Sequence, residues 1–213
     1  MIETLNNLDT QLFYLINHHH CTAADYAMWF FSSKWSWLLA MLLAYVFTML
    51  RGDRRLWWLP LVGMGLCFLL ADQTSNLIKD TVCRLRPCWA LDDVVMFHTR
   101  KGGRYGFVSS HAANAFALVA YYWFSYRAKR KHGGDGKGIW VPLGLLVWAT
   151  LTCYSRPYLG KHYPGDVLCG AMLGILMGYI VYLITRWLER LRDRLHRPPH
   201  SGRAASASRP ASA

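Results

Sequence analysis

Apolar residues in this chain fall in long blocks, and polar residues gather between the blocks. The five blocks run over about residues 35–50, 56–78, 110–126, 139–154 and 167–188. Blocks of about 16 to 23 residues are typical of helices that cross a bilayer, whose hydrocarbon core is about 30 Å thick. We therefore predict an all-α fold, a polytopic membrane helical bundle with about five transmembrane helices.

The segment before the first block is amphipathic, and it is too short and too polar to cross a membrane. Residues 1 to about 20 place leucines and a phenylalanine among polar groups, which favours a sixth helix lying at the membrane interface. A short helix over about residues 26–31 stays open as a start to the first span. His18, His19 and His20 end the segment, but adjacent histidines on a helix cannot all face one ion, so we expect a polar terminus rather than a metal site.

The chain has 213 residues, 24 Lys and Arg against 12 Asp and Glu, and a formal net charge of +12. Such a charge would fit a nucleic-acid-binding protein. The basic residues cluster between and after the apolar blocks, however, and membrane topology explains that placement better. We expect the lipid bilayer as a partner and no nucleic acid, and the sequence does not indicate an oligomeric state.

Basic residues in short loops indicate how a membrane protein is oriented, because cytoplasmic loops carry an excess of Lys and Arg. With five spans, the basic segments 51–55, 127–137 and 186–197 share one side, which we predict to be cytoplasmic. We expect residues 1–190 to form the membrane domain and residues 191–213 to form a disordered cytoplasmic tail, since they are basic and then rich in Pro, Ser and Ala. The aromatic belt expected at the cytoplasmic interface comprises Trp57, Trp58, Trp123, Trp140 and Trp187.

The six cysteines show neither a Cys-x-x-Cys motif nor a zinc-binding pattern. Cys83 and Cys88 flank Arg86 in a polar loop, and spacing alone leaves open whether they pair in an oxidising space. We expect no metal and no cofactor.

Three polar pieces lie at block ends on the side opposite the basic loops: Lys79 with Arg86, Ser109-Ser110-His111, and the stretch 155–166. Phosphoryl transfer needs cations around the phosphate oxygens, an in-line nucleophile and a proton for the leaving oxygen. Arginine suits the first task because its planar fork binds two oxygens. The expected cations are Lys79, Arg86 and Arg156, while Ser109 and the amides of Ser110 and His111 can add donors at the start of a helix.

His162 and Asp166 are four residues apart across Pro164-Gly165. Proline is tolerated in the first turn of a helix, so we expect Asp166 to open the fifth span. Its carboxylate can then orient His162 through one ring nitrogen and leave a lone pair on the other, as for an activated nucleophile. His111 is the expected general acid.

The order Lys79, six residues and Arg86-Pro87, then Ser109-Ser110-His111, then Ser155-Arg156, five residues, His162, three residues and Asp166 resembles the three-part signature of the type 2 phosphatidic acid phosphatases, the PAP2 superfamily. The motifs cover about residues 72–166 and the hydropathy about 30–190. One departure is Ser110, which stands where the family usually has glycine and adds a side chain near the phosphate.

The resemblance implies a metal-independent phosphatase that works through a phosphohistidine. By that likeness, His162 attacks phosphorus with the support of Asp166, and His111 protonates the leaving oxygen and later activates water. The phosphate would be bound by Lys79, Arg86, Ser109, Ser110 and Arg156.

We expect a multi-pass lipid phosphatase of the bacterial inner membrane, with its site facing the periplasm or exterior. Its lead substrate is undecaprenyl diphosphate, with lipid A, phosphatidylglycerol phosphate and phosphatidate left open. A lipid phosphotransferase would use the same residues and is not excluded. A transporter of anionic lipid, with Asp72 on its path, is a weaker alternative because the sequence shows no inverted repeat or interrupted helix.

Overall fold

The chain folds into helices joined mostly by short connections, and the computed structural model describes residues 2–51, 57–131 and 136–195. Within those ranges it contains no strand apart from an isolated bridge between Leu85 and Tyr105, so the all-α prediction is confirmed. The helices are α1 (Ile2–Asn17), α2 (Thr22–Ser32), α3 (Lys34–Arg51), α4 (Trp58–Val82), the short α5 (Pro87–Ala90), α6 (Ser110–Lys131), α7 (Trp140–Tyr158) and α8 (Pro164–Leu195), with a 3-10 turn at Gly136–Ile139 before α7.

The five predicted spans correspond to α3, α4, α6, α7 and α8, which have 18 to 32 residues. By length and composition, α4 and α8 can each cross a membrane, and α2 with α3 makes a third span if the pair, bent by 63°, counts as one. α6 and α7 are less apolar because they carry polar groups such as His111, Asn114 and Arg156. Composition alone thus supports two or three spans among the described helices.

Several predicted boundaries are wrong by up to seven residues. α6 runs to Lys131, past the predicted end of its block at 126, and its basic side chains suit the negative end of a helix. α7 passes its predicted end at 154 and includes Pro157, which has no N–H to donate within the helix, and the helix ends one residue later. α8 begins at Pro164 and reaches Leu195, whereas the fifth span was predicted over about residues 167–188. Residues 52–56 and the part of the predicted tail from residue 196 lie outside the described residues.

The predicted N-terminal helix is present as α1, and its two faces have different surroundings. Leu5, Leu8 and Leu15 are exposed on one side, with 51% to 61% of their surface accessible. Phe13 and Asn17 are fully buried against the rest of the bundle. The Asn17 amide donates to the Tyr158 carbonyl at 2.9 Å and to a second backbone carbonyl. α1 is therefore docked onto the bundle, while its leucines face outward as a membrane-lying helix requires.

α6 and α8 approach each other backbone to backbone. Gly170, Gly174 and Gly178 face α6 at intervals of one helical turn. A Cβ atom on Gly174 would lie 2.2 Å from the Ala113 carbonyl oxygen, and one on Gly170 would lie 2.5 Å from the Ser109 carbonyl oxygen. Small residues permit such close packing between membrane helices. This seam brings the start of α8 against the start of α6.

The ends of four helices meet at one end of the bundle, since α4 and α7 end where α6 and α8 begin. A hydrogen bond from Lys79 to Ser110 joins α4 to α6, and one from Ser109 to Asp166 joins the start of α6 to α8. α7 leads into α8 through residues 159–163. Trp57, Trp140 and Trp187 lie toward the other end of the same helices and are 55% to 64% exposed. The predicted grouping of these tryptophans away from the polar pieces agrees with this arrangement.

Candidate active site

The loop after α4 is pinned to a second loop segment by a short antiparallel pairing. Leu85 forms a bridge with Tyr105, and the Gly106 amide donates to the Arg84 carbonyl at 2.8 Å. The Arg86 Nε atom donates to the Tyr105 carbonyl at 2.9 Å. Because the pairing fixes the backbone on both sides of Leu85, it holds two arginine side chains at the helix ends.

Gly106 lies where this loop passes closest to the candidate nucleophile. A Cβ atom there would be 2.9 Å from Arg86 Cγ, 3.1 Å from Asp166 Oδ2 and 3.5 Å from His162 Nδ1. Any side chain would displace these groups. A glycine at this position therefore lets the loop backbone form one wall of the site.

His162 and Asp166 are both buried, with 2% and 0% of their surface exposed. His162 Nδ1 faces Asp166 Oδ2 at 3.6 Å, which is longer than a hydrogen bond, and in the part of the chain that the structure describes Nδ1 has no hydrogen-bond partner. Catalytic hydrogen bonds are often long in ligand-free structures and tighten when the substrate binds. Asp166 also accepts from the Tyr163 amide at 3.1 Å.

The surroundings of His162 favour its neutral form. Burial lowers the pKa of His162 well below its ordinary value of 6.5, and the positive charges of Arg156, Arg86 and Lys79 lower it further. A backbone interaction with Gly106 opposes this effect without reversing it. The ring therefore keeps a lone pair available at neutral pH, and all three predicted cations lie within electrostatic range of it.

Lys79 is nearly buried at the end of α4 and bonds to the start of α6. Its Nζ atom donates to Ser110 Oγ and, at 3.2 Å, to Asn76 Oδ1. Ser110 Oγ is also 2.7 Å from Ser75 Oγ. The serine that replaces the usual glycine thus uses its hydroxyl to link α4 with α6 and to hold the ammonium group in place.

Arg156 lies in the last turn of α7, where only 5% of its surface is exposed. Its guanidinium donates to Ser32 Oγ at the end of α2, while its Nε atom is buried without a hydrogen-bond partner. A buried guanidinium with an unused donor is suited to bind an anion.

Ser109 lies at the start of α6 and joins it to α8. Its side chain is fully buried, and Oγ accepts a long bond of 3.5 Å from the Ala112 amide, as a helix cap does. Its own amide donates to the Asp166 carbonyl at 3.0 Å. The hydroxyl proton of Ser109 stays available, so its predicted role as a donor to phosphate remains a prediction.

His111 is the second residue of α6 and is partly exposed. Its ring is 6.0 Å from the Trp37 ring, in an edge-to-face arrangement. It lies within electrostatic range of Arg156 and His162. The structure thus brings both predicted histidines to the same cation-rich end of the bundle.

The model of the PAP2 superfamily matches residues 56–190, which include all three motifs. The chain belongs to this superfamily. It is 34% identical over 196 residues to a lipid A 4'-phosphatase of Bacteroides thetaiotaomicron, a match that covers 88% of this chain and 81% of the relative. It is 28% identical over 197 residues to a lipid A 4'-phosphatase of Porphyromonas gingivalis, covering 88% and 79%.

Among solved structures, the fold is similar to a transmembrane PAP2 type phosphatidylglycerolphosphate phosphatase from Bacillus subtilis. The TM-score is 0.62 at 21% identity, over 92% of this chain and 90% of that one. These comparisons confirm the membrane helical bundle and the PAP2 phosphatase class that the three motifs indicated.

Two charged residues of this PAP2 site were missed from the sequence. Arg84 Nη1 donates to Asp166 Oδ1 at 2.6 Å, and Arg84 Nη2 donates to Asp9 Oδ2 at 2.8 Å. No role was predicted for Arg84 from the sequence, although its place two residues before Arg86 is a usable signal. The sequence holds no comparable signal for Asp9, because nothing in it indicates that α1 lies beside Arg84, 75 positions away.

The cysteines and the other candidate metal ligands near the site make neither a disulfide nor a metal centre among the described residues. Within residues 2–51, 57–131 and 136–195, no group of three His, Cys, Asp or Glu side chains could hold a metal ion. Cys83 and Cys88 are free thiols. His20, from the histidine run, bonds to Asp25 at 2.6 Å.

Proposed function

We propose that this protein hydrolyses a phosphate monoester of a lipid A-type glycolipid through a phosphohistidine at His162. The observation that carries the mechanism is a buried, neutral histidine that faces the Asp166 carboxylate among three cations. Similarity to two lipid A 4'-phosphatases over 88% of the chain supports the substrate class. Lipid A therefore takes precedence over undecaprenyl diphosphate, which the sequence had favoured.

The first step transfers the phosphoryl group to the protein. With its Nδ1 proton held toward Asp166, His162 presents its Nε2 lone pair to phosphorus. The new N–P bond forms as the ester P–O bond breaks, and His111 gives its proton to the departing sugar oxygen. Lys79 and Arg156, together with Arg86, neutralise the charge on the phosphoryl oxygens.

The second step releases phosphate. Water attacks the phosphorus of the phosphohistidine while His111, now neutral, accepts its proton. The N–P bond breaks and its electron pair returns to Nε2, so His162 is regenerated and inorganic phosphate leaves. The same intermediate would pass its phosphoryl group to a lipid hydroxyl if that group displaced the water.

An apolar groove supports a substrate that carries acyl chains. A cavity of about 260 Å³ lies between α3 and α7. At the site end, Phe31 lines the groove, and the neighbouring Ser32 binds Arg156. We place an acyl chain here, with its phosphate held at the cations. Toward the other end the lining includes Leu39, Leu43, Phe47, Trp140 and Val141.

We also propose that the site faces the periplasm or exterior. The support is topological: the site lies at the end of the bundle away from the basic residues that close α6 and α8. Cys21 and Cys83 are exposed free thiols, so both are first changed to serine. A cysteine then introduced at exposed Val95, beside the site, should react in intact cells with a thiol reagent that does not cross membranes. Labelling only after lysis would place the site in the cytoplasm.

Phosphate release by purified protein tests the function. Wild type and His162→Ala are compared on diphosphorylated lipid A, undecaprenyl diphosphate, phosphatidylglycerol phosphate and phosphatidate, with Thr150→Ala, an exposed position on α7, as matched control. We expect wild type and the control to remove one phosphate from lipid A, at the 4' position by mass spectrometry, and His162→Ala to be inactive. Preference for undecaprenyl diphosphate would show that lipid A is not the substrate. Activity of His162→Ala would show that His162 is not the nucleophile. A new phosphoester product would indicate phosphoryl transfer to a lipid hydroxyl.

A further inference from the structure

α1 lies outside residues 56–190, the part of the chain that the PAP2 model matches. Nevertheless its Asp9 contributes a partly buried carboxylate to the edge of the active site. Its exposed face carries leucines, whereas the Asp9 side chain on the opposite face is only 13% exposed. The Asp9 carboxylate faces the bundle, and it needs a cation or hydrogen-bond donors there because burying an unpaired charge is costly.

Asp9 bonds to two parts of the catalytic region at once. One carboxylate oxygen accepts from Arg84 at 2.8 Å, and the other accepts from the Gly165 amide in the first turn of α8 at 2.7 Å. First-turn amides have no partner within their own helix, and a carboxylate there also suits the helix dipole. Asp9 thus caps the helix that carries Asp166.

Arg84 completes the connection between Asp9 and Asp166. Its guanidinium donates to Asp166 Oδ1 at 2.6 Å and lies 4.2 Å from the centre of the Tyr163 ring. Burial by itself would lower the pKa of Arg84, but Asp166 and Asp9 outweigh burial, so the pKa is raised and the group stays charged. One guanidinium therefore bridges two carboxylates.

We propose that Asp9 is a positioning residue for the phosphoryl transfer, acting through Arg84 and the start of α8 to keep Asp166 Oδ2 directed at His162. Because Arg84 binds Oδ1, the Asp166 carboxylate is held in one orientation, and Oδ2 faces the His162 imidazole. Without Asp9, Arg84 would bind Asp166 alone and the first turn of α8 would lose its cap. The histidine would then be poorly oriented although every predicted catalytic group is still present.

The inference rests on His162 as the nucleophile, and a double-mutant cycle tests it. The variants are Asp9→Asn, which keeps the shape and removes the charge, Arg84→Gln and the double variant. Glu3→Gln, at an exposed acid on the same helix, is the matched control. On lipid A, we expect Asp9→Asn to lower kcat about 10-fold with KM within about twofold, because a lost charge-assisted hydrogen bond is worth about that much. The side-chain oxygen of Asn can still accept from the Gly165 amide, so Asp9→Asn weakens only the path through Arg84. The double variant should therefore be no slower than Arg84→Gln.

Two further measurements separate positioning from folding and from substrate choice. Asp9→Glu restores the charge, and we expect it to recover part of kcat; a loss that follows the unfolding temperature and is not recovered by Asp9→Glu would overturn the proposal. Orthovanadate, which imitates a five-coordinate phosphoryl group and needs no lipid, should bind Asp9→Asn about 10-fold more weakly than wild type. If wild type binds vanadate but does not cleave lipid A, the substrate is wrong and the vanadate ratio still decides the role of Asp9. Equal vanadate affinities, or additive effects in the cycle, would overturn it.

Discussion

The α6–α8 seam predicts that the smallest possible substitution, Gly174→Ala, damages both stability and activity. The added Cβ atom would lie 2.2 Å from the Ala113 carbonyl oxygen and 3.0 Å from the Ala117 amide nitrogen. Both are backbone atoms of a packed helix and cannot rotate away, so α8 must move by about 1 Å to restore ordinary contact. The bond between the Ser109 amide and the Asp166 carbonyl, 3.0 Å long, lies one turn from this seam and would be strained.

The expected magnitude follows from two opposing effects. Overpacking costs about 1–3 kcal/mol, and contact with backbone favours the upper end of that range. Alanine gains about 1 kcal/mol over glycine in a helix, so the net loss for Gly174→Ala is about 2 kcal/mol. Gly144, in α7, has nothing within 4 Å of its missing Cβ atom. Gly144→Ala should therefore gain about 1 kcal/mol, which makes it a matched control.

Thermal unfolding in detergent, followed by tryptophan fluorescence, measures the difference. At about 2–4 °C per kcal/mol for a chain of this size, Gly174→Ala should unfold about 4–8 °C below wild type and Gly144→Ala about 2–4 °C above it. Phosphate release should fall in Gly174→Ala. Gly144 lines the proposed acyl groove, so Gly144→Ala is a control for stability alone. If Gly174→Ala were as stable as Gly144→Ala, the seam would not be as closely packed as described and could not be what positions Asp166.

Four further predictions concern the site. The pKa of His162 lies well below 6.5, so kcat/KM should be maintained as the pH falls to 6.5. It should drop only at lower pH, where protonation removes the lone pair of the imidazole. A drop in kcat/KM centred near pH 6.5 would contradict this prediction. Lys161 directly precedes His162 in the loop between α7 and α8, and burial and the charge of Arg156 lower the pKa of Lys161 to about 8. Its positive charge is lost above about pH 8, so kcat/KM should drop there. In Lys161→Arg this alkaline drop should be absent. EDTA should leave phosphate release intact, and loss restored by magnesium would refute the phosphohistidine scheme. Ser110→Ala should destabilise the fold by about 1–3 kcal/mol in thermal unfolding, since the Lys79 ammonium loses a partner, whereas Thr150→Ala should change little.

Much of the fold could be predicted because helices that cross a bilayer need long runs of apolar residues. A spanning helix needs about 20 apolar residues, so α4 and α8 stood out as blocks. Helix ends were less accurate, as at Lys131 and Tyr158, because polar residues continue a helix when its last turn is capped or packed. The bend of 63° between α2 and α3 was not predicted either, because no proline or glycine marks it.

The sequence by itself determined the chemistry, since it supplied the spaced lysine, arginines, histidines and aspartate, and the hydropathy that sets them at helix ends. Only the tertiary structure decided how Asp166 is held, because Arg84, which binds Asp166, and Asp9, which binds Arg84, lie 82 and 157 positions away from Asp166. It also decided that Ser110 bonds to Lys79 and that Ser109 joins two helices. Local sequence patterns record helix periods and caps over a few residues. A hydrogen bond between distant segments leaves no such period and exists only once the helices have packed.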